Sequence, residues 1–123
     1  MSFHIVVIDD CPVTLAIISD FLAAAGFRVS TAACSVYSNH LIYSRQPPDL
    51  ILLDVMMPLM SGTRKTQVLK SRARSRDIPV LLMSSKEEAE LRSLSAVAGA
   101  DGYLPKPFSA DRLVTTVRKL LAA

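Results

Sequence analysis

The sequence has little cysteine and glycine, no tryptophan and no long apolar run. Only four of its 123 residues are glycine, which excludes a collagen-like repeat. No apolar run approaches the ~18–20 residues that a membrane-spanning helix needs, and the first four residues lack the pattern of a secretory signal. We therefore expect a soluble, cytoplasmic protein with no membrane partner. Cys11 and Cys34 match no C-x-x-C spacing, so we predict two free thiols and no zinc site.

Composition and length predict one globular domain. Half of the residues are apolar and a fifth are charged, a balance that supports a sizeable core and argues against disorder. The 123 residues leave room for a single domain, residues 1–123, because domains commonly run ~100–150 residues. We expect no second catalytic or DNA-binding module within this chain.

Basic residues are concentrated in one stretch. The net charge of +3 results from 14 basic and 11 acidic residues, and six of the basic ones lie between Arg64 and Arg76. Such a cluster can bind nucleic acid or an acidic partner. No aromatic residue is interleaved with these charges to stack on bases, and their positions are typical of a solvent-exposed helix face. We therefore predict a solvated face and no nucleic-acid binding by this domain.

Short apolar runs predict five β-strands. The first, third and fourth runs are nearly continuous in Val, Ile and Leu, as expected of central strands covered on both faces. The runs are Phe3–Ile8, Arg28–Ala32, Leu50–Leu53, Pro79–Met83 and Gly102–Leu104.

The segments between these runs have helical length. Apolar residues recur at a 3.6-residue period from Val13 to Ala25, before a stop at Gly26, and again from Leu113 to Leu121. Ser85-Lys86-Glu87-Glu88 is typical of a capping box that opens another helix. A helix near Val36–Arg45 would end at Pro47-Pro48.

Strands that alternate with helices imply right-handed crossovers in a parallel sheet. The predicted fold class is α/β, a three-layer sandwich with helices on both faces of the sheet. Ligands of such open sheets bind beyond the carboxyl ends of the strands, near the point where the strand order reverses.

Chemically active side chains follow four of the five predicted strands: Asp9 and Asp10, Asp54, Ser84, and Lys106. Three close carboxylates repel each other by about 1–4 kcal/mol per pair, so a cation must accompany them. Carboxylate oxygens favour Mg²⁺ over zinc. With Mg²⁺ and Lys106 beside it, Asp54 can act as a nucleophile toward a phosphoryl group.

Four stretches of the sequence carry a family resemblance: Asp9-Asp10, Asp49–Pro58 with Ser61-Gly62, Pro79–Ser84, and Gly99–Phe108. In this order and spacing, they resemble the receiver domain of bacterial two-component response regulators over essentially the whole chain. The resemblance implies a flavodoxin-like fold of five parallel strands in the order 2-1-3-4-5.

The resemblance also implies a metal site and a phosphorylation site. Asp54 matches the phosphoacceptor of the family. Asp10 and Asp54 match its metal-ligating carboxylates, the backbone carbonyl of Met56 a further ligand, and Asp9 the outer acid of the metal site. The implied ion is Mg²⁺, for which Mn²⁺ is a possible substitute.

Three other residues match the switching machinery of the family. Ser84 matches the switch hydroxyl, and Tyr103 matches the aromatic residue that rotates inward on activation. Lys106 matches the lysine that pairs with the phosphate and precedes a cis bond, here to Pro107. The catalytic set implied is Asp54, Ser84 and Lys106.

The resemblance implies a signalling function in which a histidine kinase or a histidine phosphotransfer protein donates the phosphoryl group. The domain promotes its own phosphorylation and dephosphorylation and is not otherwise an enzyme. The face of the fourth helix, fifth strand and fifth helix then changes its affinity for a downstream protein or a covalently linked output domain. The chain is either a stand-alone regulator or part of a longer protein.

Three alternatives remain open on the sequence. A metal-dependent phosphatase with an aspartyl nucleophile would typically have a second acid two residues after Asp54, where this chain has Met56. A flavin carrier would need a loop rich in Ser, Thr and Gly after the first strand, where Asp9 and Asp10 stand. A degenerate receiver would bind partners without phosphorylation.

Overall fold

The computed structural model describes residues 2–122. Within them, the five apolar runs form five strands that all pair in parallel. The strand order is 2-1-3-4-5, which confirms the predicted flavodoxin-like α/β fold. Each predicted strand is present within one residue at either end. The strands are β1 (His4–Ile8), β2 (Arg28–Ala32), β3 (Leu50–Asp54), β4 (Val80–Ser84) and β5 (Gly102–Pro105).

Helices cover both faces of the sheet. The helices are α1 (Pro12–Ala24), α2 (Asn39–Ile42), α3 (Gly62–Ser71), α4 (Glu88–Ala98) and α5 (Ala110–Ala122). Side chains of β1 alternate between two cores: Ile5 and Val7 pack with α1 and α5, whereas Val6 and Ile8 pack with α2, α3 and α4. Because burial of one aliphatic side chain contributes about 1.5–3 kcal/mol, these two cores hold the carboxyl ends of the central strands in place.

The ends of two helices test the predicted boundaries. Helix α1 ends before Gly26, whose φ of 94° lies in the left-handed region, so the predicted stop is confirmed. The predicted capping box of α4 is wrong: Glu87 occupies the N-cap and its side chain makes no capping hydrogen bond. The turn before the helix is instead organised by Ser84, whose Oγ accepts a hydrogen bond from the Lys86 N–H.

The helix expected near Val36–Arg45 is much shorter than predicted. It consists of one 3₁₀ turn, Val36–Ser38, followed by the four residues of α2. The Ser38 hydroxyl donates to the Ser35 carbonyl, and His40 Nδ1 lies 2.9 Å from the Tyr37 carbonyl. These local bonds compete with a regular helix.

The basic stretch is not a uniformly solvated face. Lys65 is only 3% exposed, and its ammonium donates a hydrogen bond to Asn39 Oδ1. Lys70 pairs with Asp101 at 2.7 Å. Burial lowers the pKa of Lys65, and the nearby charge of Arg72 lowers it further.

Both cysteines are free thiols, as expected. Within residues 2–122, no helix has the length and apolar character required to cross a membrane.

Candidate functional site

Three carboxylates converge at the carboxyl edge of the sheet. Asp9 follows β1 and is 1% exposed, Asp54 ends β3 and is 5% exposed, and Asp10 is exposed to solvent. One carboxylate oxygen from each lies within 4.8 Å of the other two. The sequence placed these residues at strand ends, and the structure shows that their side chains meet.

Lys106 connects two of these acids. Its Nζ donates to Asp9 Oδ2 at 2.8 Å and to Asp54 Oδ1 at 3.1 Å. Burial by itself lowers the pKa of Lys106, but the hydrogen bond to Asp9 and the charge of Asp54 outweigh burial and raise the pKa above its usual value. Lys106 therefore stays an ammonium that offsets part of the negative charge.

The pKa of Asp54 is set by effects that oppose each other. Burial is the largest of them and raises the pKa of Asp54 above its usual value. The charge and hydrogen bond of Lys106 lower the pKa, whereas the charges of Asp9 and Asp10 raise it. A further cation beside these carboxylates would favour the ionised form of Asp54.

The backbone positions Ser84 and Lys106 side by side. The Lys106 N–H donates to the Ser84 carbonyl at 2.8 Å, which extends the pairing of β4 and β5 to the edge of the sheet. Ser84 is buried at the end of β4. The peptide bond between Lys106 and Pro107 is cis, as the resemblance implied.

Tyr103 and Met56 differ in their exposure to solvent. The Tyr103 ring is partly buried on β5, and its hydroxyl accepts a hydrogen bond from Arg92 Nε at 3.1 Å. Met56 lies in the loop after β3, and this residue is 61% exposed. An exposed side chain is compatible with a ligand role for the backbone carbonyl of Met56 alone.

Gly62 belongs to the site although no role was predicted for it. A Cβ at this position would lie 2.1 Å from the Asp54 carbonyl oxygen, and the Gly62 N–H donates to the Val55 carbonyl at 2.9 Å. The start of α3 is thus pressed against the residue that carries the central carboxylate. The signal in the sequence was Ser61-Gly62, in which Ser61 caps the helix by accepting the Arg64 N–H.

The donor set suits a hard divalent cation. All three converging groups offer carboxylate oxygens, two of the three residues are buried, and one ammonium does not neutralise three acids. Mg²⁺ binds through one or two carboxylates and keeps several waters, and exposed Asp10 leaves the cluster open to solvent on one side.

Fold and site together define a flavodoxin-like α/β protein with an acidic, lysine-bridged centre at its topological switch point. The sequence profile of the response regulator receiver domain matches residues 5–118, and the chain belongs to this family.

A curated relative supports this assignment. The DNA-binding dual master transcriptional regulator RpaA from Synechocystis is 36% identical over 118 residues, which are 96% of this chain and 48% of that protein. The chain spans about half the length of the curated relatives it matches.

Solved structures show the same fold. A provisionally assigned response regulator from Chloroflexus aurantiacus superposes with a TM-score of 0.94 at 25% identity, and the match covers 100% of both chains. The receiver domain of the sensor histidine kinase PA1611 from Pseudomonas aeruginosa gives a TM-score of 0.90 at 24% identity, with 100% of both chains covered. That domain has a magnesium ion coordinated in its active-site cleft.

Proposed function

We propose that the domain, residues 1–123, accepts a phosphoryl group on Asp54 from the phosphohistidine of a histidine kinase or phosphotransfer protein. The observation that carries this proposal is the contact of Lys106 Nζ with both Asp9 and Asp54, within a cluster of three carboxylates. A merely structural acid at the end of a buried strand would not need two further acids beside it. The family assignment supports the same function.

The transfer is a displacement at phosphorus. One Asp54 carboxylate oxygen bonds to phosphorus while the bond from phosphorus to the donor's imidazole nitrogen breaks, and its electron pair returns to the imidazole. Lys106 would pair with the phosphoryl oxygens. The Ser84 hydroxyl, at the end of the neighbouring strand, donates a hydrogen bond to the phosphorylated group.

Asp9, Asp10, Asp54 and the Met56 carbonyl are the residues that would hold Mg²⁺, with Mn²⁺ as a possible substitute. The receiver of PA1611, which has this fold, binds magnesium in its cleft. When bound, the ion neutralises charge that develops on the phosphoryl oxygens. Asp9 additionally fixes the start of α1, because its Oδ1 accepts the Cys11 N–H at 2.9 Å.

Phosphorylation adds about 1.5–2 negative charges at Asp54 and so changes its surroundings. We propose that Ser84 moves toward these charges and that Tyr103 turns inward, which alters the face of α4, β5 and α5. The hydrogen bond from Arg92 to Tyr103 links α4 to β5 on this face. A downstream protein or a linked output domain would bind the altered face in the cytoplasm.

The function is tested with a panel of purified histidine kinases that carry labelled phosphate. At least one kinase should transfer label to the wild-type domain, transfer should stop with EDTA, and Asp54→Asn should accept none. Asp20→Asn, an exposed aspartate on α1, is the matched control and should accept label normally. Label on Asp54→Asn would contradict the proposal.

Sustained turnover would favour a phosphatase instead. The residue two positions after Asp54 is Met56, which supplies no proton for a leaving group. We therefore expect stoichiometric labelling and no release of many equivalents of phosphate from p-nitrophenyl phosphate. A degenerate receiver would accept no label, so labelling of Asp54 would exclude that alternative.

A further inference from the structure

A second charged surface lies at the edge of the sheet opposite Asp54. Tyr43 lies between α2 and β3, and residues 72–79 connect α3 to β4. Both segments lead into the amino ends of parallel strands, whereas Asp54 stands at a carboxyl end. The surface formed by Tyr43, Arg72, Ala73 and Arg74 encloses an open cavity of about 370 Å³.

One tyrosine holds two guanidinium groups at this surface. The guanidinium carbons of Arg72 and Arg74 lie 5.7 and 5.6 Å from the Tyr43 ring centroid, and Arg74 Nη2 donates to the Tyr43 carbonyl at 3.0 Å. The Tyr43 hydroxyl lies 2.9 Å from Ser75 Oγ. Because buried Ser75 uses its only hydroxyl hydrogen on the Leu69 carbonyl, Tyr43 is the donor of this bond.

The loop that carries the arginines is fixed by hydrogen bonds. Lys70 Nζ donates to the carbonyls of Arg76 and Ile78, at 3.2 and 2.9 Å, and to Asp101 Oδ2 at 2.7 Å. The Arg76 N–H donates to the Arg72 carbonyl at 2.9 Å. A rigid loop loses little conformational entropy when a partner binds, so the arginines are preorganised for binding.

The positive charge of this surface is not offset by ion pairs in the described part of the chain. Among residues 2–122, no carboxylate forms an ion pair with Arg72, Arg74 or Arg76, although the neighbouring Lys70 has one in Asp101. Both arginines of the cavity are exposed. Two guanidinium groups around one ring repel each other, and an anionic partner would relieve that repulsion.

We propose that Tyr43, Arg72 and Arg74 form a docking site for an acidic protein segment whose carboxylates pair with the two guanidinium groups. Guanidinium forks match carboxylates in a bidentate way, which a lysine cannot reproduce. Single-stranded nucleic acids usually need a free aromatic face for base stacking. Here the guanidinium groups of Arg72 and Arg74 lie over the Tyr43 ring, which favours a peptide.

The site is tested by fluorescence anisotropy with labelled hexaglutamate at low salt, using the unphosphorylated domain. Wild type should bind, and Arg72→Gln with Arg74→Gln should weaken binding by about tenfold or more, since charge-assisted hydrogen bonds are lost. Arg72→Lys with Arg74→Lys should also weaken it, because charge alone does not restore the forks. The matched control is Arg118→Gln with Lys119→Gln, which removes the same charge from exposed positions on α5 and should change affinity less than about twofold.

Several outcomes would overturn the assignment. These are absence of hexaglutamate binding by wild type, equal losses in the two glutamine pairs, and tighter binding of a duplex DNA probe with the same dependence on Arg72 and Arg74. Circular dichroism confirms that each variant is folded. Asp54→Asn should bind hexaglutamate like wild type, so failure of this proposal and failure of the phosphorylation proposal are separate results.

Discussion

Gly62 and Asp54 approach each other so closely that a methyl group on Gly62 would lie 2.1 Å from the Asp54 carbonyl oxygen. The contact is with backbone, which cannot rotate away as a side chain can. The Gly62 N–H also binds the Val55 carbonyl at 2.9 Å, so the start of α3 and the end of β3 are locked together. The position of the central carboxylate thus depends on a residue with no side chain.

Gly62→Ala should therefore displace Asp54 as well as destabilise the fold. We expect the free energy of unfolding to fall by about 1–3 kcal/mol, as in other overpacked sites, and phosphorylation by acetyl phosphate to slow in protein that is still folded. Gly102→Ala is the matched control, because its added methyl would meet side-chain methyls of Leu81 and Leu120 at 3.3 and 3.4 Å. If both variants keep the wild-type phosphorylation rate, Gly62 has no positioning role.

Asp10 should separate metal affinity from stability. It is exposed and, within the described residues, accepts no hydrogen bond. Without Mg²⁺, Asp10→Asn should raise the free energy of unfolding, because it removes the repulsion of Asp10 with Asp9 and Asp54. It should nevertheless weaken Mg²⁺ binding by at least about tenfold, because it removes a charged ligand.

Calorimetric titration is the appropriate measurement for Asp10→Asn, since the chain has no tryptophan whose fluorescence could report binding. Asp20→Asn removes a similarly exposed acid and should bind Mg²⁺ like wild type. An unchanged affinity in Asp10→Asn would exclude this residue from the metal site.

Removal of the Lys106 ammonium should destabilise the acidic cluster. Lys106→Met leaves Asp9 and Asp54 without their shared partner. We expect a loss of about 2–3 kcal/mol, less than for a fully buried pair because the Lys106 side chain is 22% exposed. Added Mg²⁺ should recover part of this loss, since it supplies positive charge to the folded state.

Lys86→Met is the control for Lys106→Met in denaturant unfolding. It breaks the 3.3 Å pair with Glu90, whose side chain is 55% exposed, and should cost less than about 0.5 kcal/mol. Equal losses in the two variants would contradict the view that Lys106 stabilises the carboxylates.

Because the pKa of buried Lys65 is lowered, the cost of Lys65 to the stability of the folded protein should decrease as the pH rises. Burial lowers its pKa in the folded protein. Below that lowered pKa, Lys65 is charged in both states and the folded state carries the cost of desolvation. As the pH rises from the folded pKa toward the unfolded value of about 10.4, the folded state loses its proton first, so Lys65 becomes less unfavourable.

The corresponding variant is Lys65→Met, compared with Lys119→Met on the exposed face of α5. The stability of Lys65→Met relative to wild type should be greatest near pH 7 and should decrease as the pH approaches about 10. The Lys119→Met difference should stay nearly constant. Urea unfolding at several pH values measures both, and a Lys65→Met difference that grows with pH would contradict the lowered pKa.

The strands and their order followed from the sequence because continuous apolar runs specify buried strands and the family motifs specify their connection. The prediction of chemically active residues at the strand ends also followed from these runs and motifs. Convergence of Asp9, Asp10 and Asp54 did not follow, since a period of two places a side chain on a face and gives no distance between strands.

Two predictions were wrong for different physical reasons. Ser85 was expected to cap α4, but the Ser84 hydroxyl accepts the Lys86 N–H and the helix begins later. Lys65 was assigned to a solvated face from the charge of its neighbours. Lys65 lies three residues after Gly62 and four residues before Leu69 along α3, and this spacing was the better signal, because residues at those intervals share the buried face.

The most direct test of the central claim locates the phosphoryl group. The domain is treated with acetyl phosphate with or without Mg²⁺, reduced with borohydride to convert any aspartyl phosphate to homoserine, and analysed by peptide mass spectrometry. We expect an adduct of about 80 Da before reduction and homoserine at position 54 afterwards, both dependent on Mg²⁺. Homoserine at position 9 or 10, or no conversion at all with Mg²⁺ present, would contradict the assignment of Asp54 as the phosphoacceptor.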